Sequence, residues 1–216
     1  MRREALVFGA AMLLCAGCSS AGRSSAASTS STASTASTAS TMSATSVPAV
    51  ATTSAAGINP DVIPSVITIP YVDAVFKVLE HLDGDVSRSL LVAGRLTPTA
   101  TSYLRSIFND PLYGKEVSIA QQSIAGNTSN VRRPPGDVVL KVVNLISASP
   151  TCIFASTTAD YSAVLIKPEA PPASTYYGLK LKQVHDGVSQ LNPTPWALFF
   201  NAVFVNPVSV PNQCAS

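Results

Sequence analysis

Residues 58–216 read as an α+β domain, with helices first and an antiparallel sheet after them. Three features lead to that class. Apolar residues in the first half recur at spacings of three and four, the period of a helix with one buried face. After Arg132-Arg133-Pro134-Pro135-Gly136 the chain turns to short runs of β-branched and aromatic residues cut by turn residues. The links between those runs suit hairpins. Three or four helices should therefore pack on one face of a curved sheet of about four strands.

The elements follow in order. Pro70 suits the first turn of a helix, where its missing N–H costs nothing. Val72, Val75, Phe76, Leu79 and Leu82 make its stripe, and Gly84 is expected to end it. Asp85 or Ser87 then caps a shorter helix through Leu90 to Ala93, stopped by Gly94. Thr97-Pro98 opens a third helix with the stripe Tyr103, Leu104, Ile107 and Phe108, ended at Asp110-Pro111. Lys115 to Ala125 fits helix better than strand, closed by Gly126-Asn127. Strands are expected over Val138–Ile146, from Cys152 to Ser156 and onward to Asp160-Tyr161, over Tyr176–Val184, and over Trp196–Val205. In the third, Tyr177, Leu179, Leu181 and Gln183 share a face. The fourth is apolar on both faces, hence central or covered by helices.

Before the domain, Met1-Arg2-Arg3 is a basic start and Ala5 to Leu14 an apolar run of ten residues. That is too short to span a bilayer, which takes ~20 residues. Cys15-Ala16-Gly17-Cys18 follows. The run resembles the signal of bacterial lipoproteins, with Cys15 where leucine is commonest and Ala16-Gly17-Cys18 matching. The resemblance implies cleavage after residue 17, lipidation of Cys18 (a diacylglycerol on sulfur, with palmitate-type chains) and a place on the extracytoplasmic face of the cell membrane. Two or more acyl chains hold a protein there stably. Arg2-Arg3 leaves Sec or twin-arginine export open. Residues 18–57 are Ser/Thr/Ala-rich, with Ser31-Thr32-Ala33 repeated twice more. They lack the apolar bulk to offset ordering entropy, so a disordered tether is expected. A flexible coil of 39 residues spans roughly 35 Å. It is either a bare spacer or an O-glycosylated stalk; Asn127-Thr128-Ser129 matches an N-glycosylation sequon by coincidence.

Cys15 leaves with the signal and Cys18 carries lipid, so Cys152 and Cys214 remain in an oxidising compartment. A disulfide between them is expected, closing 62 residues and worth roughly 4 kcal/mol on loop entropy. Free thiols or an intermolecular bond are the alternatives.

The helices-then-strands order resembles the NTF2-like fold, and Pro150-Thr151-Cys152, Asp160-Tyr161-Ser162 and Leu191-Asn192-Pro193-Thr194-Pro195-Trp196 resemble secreted actinobacterial proteins of unknown activity. The NTF2-like resemblance implies a cone in which an Asp, His or Tyr serves the enzymes of the group. Tyr71, Asp73 and Tyr103 lie on helices that would line it, with Asp73 read as solvent-facing; Tyr176, Tyr177 and Trp196 read as packing.

Chemical signals are sparse. The net charge of +2, near +1 without the signal, is no footprint for nucleic acid. His81, near the expected end of the first helix, reads as a surface or capping residue, and His185-Asp186-Gly187 as a turn. Two histidines and two thiols make no closed zinc site, and no phosphate loop or nucleophile elbow is present. No catalytic, cofactor-binding or metal residue is assigned and no cofactor is expected. The leading expectation is a non-enzymatic, lipid-anchored protein whose domain binds an envelope partner or apolar ligand. An NTF2-like isomerase or dehydratase and a structural accessory subunit of an envelope complex are the alternatives.

Overall fold

A computed structural model describes residues 57–126, 128–168, 175–185, 187–188, 190–203 and 210–215. Residues 1–56, which hold the expected signal, Cys18 and all but the last residue of the expected tether, lie outside them, as do Asn127 and Asp186. Among the described residues the fold is α+β: α1 (Ile69–Ala93), α2 (Pro98–Ile107) and α3 (Leu112–Ile124), then β1 (Val139–Ala148), β2 (Cys152–Asp160), β3 (Thr175–Leu181) and β4 (Trp196–Val203). The strands form one sheet in the order β1-β2-β3-β4, every pair antiparallel. No helix among the described residues is long and apolar enough to cross a membrane.

The caps explain where the helices begin. Thr68 precedes α1 in extended conformation and its side chain accepts from the Tyr71 N–H at 3.4 Å. Thr97 does the same for Ala100 at 3.1 Å, with Pro98 in the first turn of α2. Gly94 closes α1 at φ 61°, a left-handed conformation that glycine adopts without a Cβ penalty.

Gly84 does not close anything. The two helices expected on either side of it are one helix of 25 residues. Gly84 is buried, and a Cβ there would overlap the Asp137 carboxylate and stand 3.0 Å from Arg88 Nη1. It is a glycine of close approach, placed where the loop before β1 crosses the helix. That loop is held by Arg88, which donates to Asp137 Oδ1 and Asp85 Oδ1, both at 2.8 Å. His81, in mid-helix rather than at an end, lies 2.8 Å from Asp137 Oδ2 through Nδ1. Burial raises the Asp137 pKa, but the bonds from Arg88 and His81 outweigh it and hold the carboxyl below its usual range.

The core lies between the helices and one face of the sheet. Val72, Val75, Phe76 and Leu79 of α1 and Leu104 and Ile107 of α2 pack with Leu140, Ile153, Ala155, Tyr177, Leu179, Trp196 and Leu198. Phe76 and Tyr177 meet edge to face at 5.4 Å. Burying each large apolar side chain is worth about 1.5–3 kcal/mol. The opposite face carries Phe154, Tyr176 and Phe200, with ring centroids 6.1 Å and 5.8 Å from Phe154. Gly178 sits between Phe154 and Phe200 in the register; a Cβ there would meet the Phe199 ring at 2.7 Å.

Some expectations for the sheet need correction. β4 is the last strand of the sheet and not central. Of the two expectations for it, cover by the helices is the one met, with Trp196 and Leu198 in the core beside α1 and α2; along its edge Phe108 bridges Leu198 and the Asn109 N–H donates to Leu198 O at 2.8 Å. β3 stops at Leu181, because the Asn109 side chain takes over the next backbone groups, donating to Leu181 O and accepting from Gln183 N, both at 3.0 Å. Leu181 is accordingly exposed instead of sharing the buried face of Tyr177 and Leu179. β1 carries two register shifts, and at the first Asp73 Oδ1 accepts the Val142 N–H at 2.8 Å. Asp73 therefore faces the sheet, not solvent.

Cys152 and Cys214 form a disulfide with Cα atoms 5.8 Å apart. It ties the chain's last described residues to the start of β2.

Candidate functional site

The polar residues picked out in the sequence hold the fold together. Tyr71 is buried and its hydroxyl accepts from Trp196 Nε1 at 2.8 Å. Tyr103 is partly buried against the core. Asn192 is fully buried; its amide donates to Ser106 O at 2.9 Å and to Trp196 O at 2.8 Å, while its oxygen accepts from Thr194 N and Oγ1. The Asn-Pro-Thr-Pro-Trp run is thus a turn that buries Asn192, Thr194 and Trp196 and fixes β4 to the end of α2. The Val188 N–H donates to His185 O, as the turn reading of that stretch expects.

A site emerges elsewhere, among residues the sequence reading passed over. Glu80, Asp83 and Ser87 follow one another at spacings of three and four on α1 and continue the buried stripe of Phe76 and Leu79. Glu116, Ala120 and Ser123 do the same on α3. Glu80, Asp83 and Glu116 are 3%, 8% and 5% exposed, a depth that carboxylates rarely reach. The sheet supplies Tyr177, Tyr161 stands just past β2, and Asn201 of β4 donates to Glu116 Oε1 at 3.3 Å. Glu80 Oε2, Tyr177 OH and Ser123 Oγ are buried without a hydrogen-bond partner.

The electrostatics follow from that burial. Desolvation, then the charges of Asp83, Asp137 and Glu116, push the Glu80 carboxyl well above its ordinary pKa. Desolvation and Asp83 raise Glu116 to about 7 against the opposing Asn201 bond and Lys115 charge. Tyr161 is pushed up to about 12 by burial and Glu80. Burial and the surrounding carboxyls raise Tyr177 further. The shifts of Glu80 and Glu116 both favour the protonated carboxyl, the form that can donate a hydrogen bond.

Space is what the site lacks. The cavity bounded by Asp83, Ser87, Glu116 and Ser123 with Val86, Leu90, Leu104, Ile119 and Ala120 holds about 20 Å³. Organic ligands take pockets of roughly 300–1,000 Å³. A wider open groove of about 550 Å³ lies elsewhere, lined by Ser129, Asn130, Ile166, Lys167 and Pro168. There the Asn130 side chain is spent on Lys167, donating to its carbonyl at 3.0 Å and accepting its N–H at 2.9 Å. No group of three or more His, Cys, Asp and Glu among the described residues stands where it could hold a metal ion.

The surface offers a different feature. Pro60 and Pro64 stiffen the segment that leads into α1, where Ile63 and Ile67 pack on the core. Around them Ile58, Val62 and Val66, and Ile69 at the start of α1, are 49%, 60%, 69% and 38% exposed. The signal that could have found the buried acids was the helical period itself, carried through Gly84. The apolar strap has no periodic signature, because it runs through a turn and bends and several of its apolar residues are exposed.

Comparison of the chain with protein-family models, with curated proteins and with solved structures finds no match.

Proposed function

We propose that the chain is an extracytoplasmic lipoprotein, held to the membrane through Cys18, whose NTF2-like domain engages an envelope partner or apolar ligand by its surface and without catalysis. The observation that carries this reading is the contrast between interior and surface. Phe76, Tyr177, Trp196 and Leu79 fill the space between helices and sheet, while Val62 and Val66 stand out on a strap next in sequence to the Ser/Thr/Ala tract. Several exposed apolar residues close in sequence fit recognition better than one alone does. The Cys152–Cys214 disulfide fits an oxidising compartment, and three helices on one face of an antiparallel sheet fit the NTF2-like arrangement. Mass spectrometry of the mature N-terminus tests the anchor: a diacylated Cys18 is expected, and cleavage elsewhere overturns it. Photo-crosslinking from Val62 or Val66 in intact cells tests the surface. One discrete adduct, lost in Val66→Asp, is expected; no adduct from either position overturns the surface reading.

A specific observation favours a second reading. Buried Glu80 and Glu116 have the raised pKa of acid–base groups, as an isomerase or dehydratase would need. That reading requires the seam around Glu116 to open, because about 20 Å³ excludes any organic substrate.

A further inference from the structure

We propose that the cavity between α1 and α3 is a built site for one water molecule, held by Asp83 and Ser87 from α1 and by Glu116 and Ser123 from α3. Volume sets the size of the occupant. A water needs a cavity of roughly 10–15 Å³ and two to four polar partners. The cavity offers about 20 Å³ and those four polar side chains, which suits a water. Chemistry sets its kind. An apolar guest would leave the Ser123 hydroxyl, which has no hydrogen-bond partner in the protein, unsatisfied.

Ser123 carries the argument further than the acids do. It is 1% exposed and its hydroxyl has no partner in the protein. A helical serine has an easy way out, donating to the carbonyl one turn back. Ser118 does so, to Gly114 O at 3.1 Å, and Ser106 bonds Tyr103 O at 2.8 Å. Ser123 instead keeps its hydroxyl for the cavity, whose other walls are Val86, Leu90, Leu104, Ile119 and Ala120. A bridging water would satisfy it and join two helices that otherwise meet there through apolar side chains and like charges.

The sign of one substitution separates a wet cavity from a dry one. In a dry cavity Ser123→Ala removes an unsatisfied buried hydroxyl and raises stability. In a wet one it removes a ligand of the water and lowers it. For the mature chain we expect S123A to lower Tm by about 2–4 °C, the shift that a lost hydrogen bond produces in a domain of this size. A crystal structure of the parent should show one density peak in the cavity, within hydrogen-bond distance of Ser123 Oγ, and the S123A structure should lose it. An S123A Tm equal to or above the parent value, an empty cavity in the parent, or a peak with the short contacts of a metal ion would each overturn the proposal.

Discussion

Single residues carry unusual weight in this fold because several buried polar groups each do the work of a backbone ladder. Asn192 satisfies two carbonyls and two donors at once, with no exposure to water. Asn192→Ala should cost about 3 kcal/mol, the penalty of stranding several buried groups, read as a lower urea midpoint with an unchanged slope. Gly84 is a second such place. Gly84→Ala leaves helix propensity better by about 1 kcal/mol yet pushes a methyl into the Asp137 carboxylate. We expect net destabilisation of about 1–3 kcal/mol, the usual cost of overpacking; a gain in Tm would show that the loop before β1 simply moves away. This is also where sequence reading met its limit. The local rule takes glycine as a helix stop, and that rule held at Gly94. At Gly84 the deciding neighbour, Asp137, lies in a loop whose approach no local pattern encodes.

Elements were legible to the extent that their burial followed a period. The stripes of α2 and α3 and the β-branched runs of the strands placed those elements within a few residues, while the sequence of α1 reads as two helices divided at Gly84. What escaped was which polar side chain stands in for a missing partner: Asp73 at the bulge of β1 and Asn109 at the end of β3. The acid site escaped for the related reason that Glu80, Asp83 and Glu116 occupy apolar positions in the helical period while their composition suggests a wet face. The disulfide was accessible by counting, because the expected export and lipidation would leave two cysteines. It fixes the tail to the first residue of β2 across a separation of 62 residues. Replacing both cysteines by serine should therefore lower stability by roughly 2–4 kcal/mol. Thermal unfolding of the double variant against the oxidised parent measures it, and an unchanged Tm would mean that the tail adds nothing to the domain.

At the scale of the whole molecule the buried acids set how stability responds to pH. In the unfolded chain Glu116 loses its proton near the ordinary value of 4.5, and in the folded chain near 7. Folding thus takes up a proton between those values, and stability falls as pH rises through that window. The Glu116 part of the fall is on the order of 3 kcal/mol, from ~1.4 kcal/mol for each pKa unit, and is complete above about pH 7. Glu80 acts in the same direction, because burial and the neighbouring carboxyls raise its carboxyl too. Asp137 has the opposite sign. Its carboxyl is held below its ordinary value, so its contribution is present at neutral pH and is lost only as pH falls through its lowered folded pKa. Stability should therefore peak near pH 4–5, on the acid side of the usual range. Glu116→Gln keeps the size and hydrogen-bonding capacity of the side chain but cannot ionise. It should flatten the curve between pH 4.5 and 7 and leave the variant more stable than the parent at pH 8. Urea midpoints measured across that range decide the matter. Parallel curves for variant and parent would mean that Glu116 reaches solvent, and with it the cavity between α1 and α3.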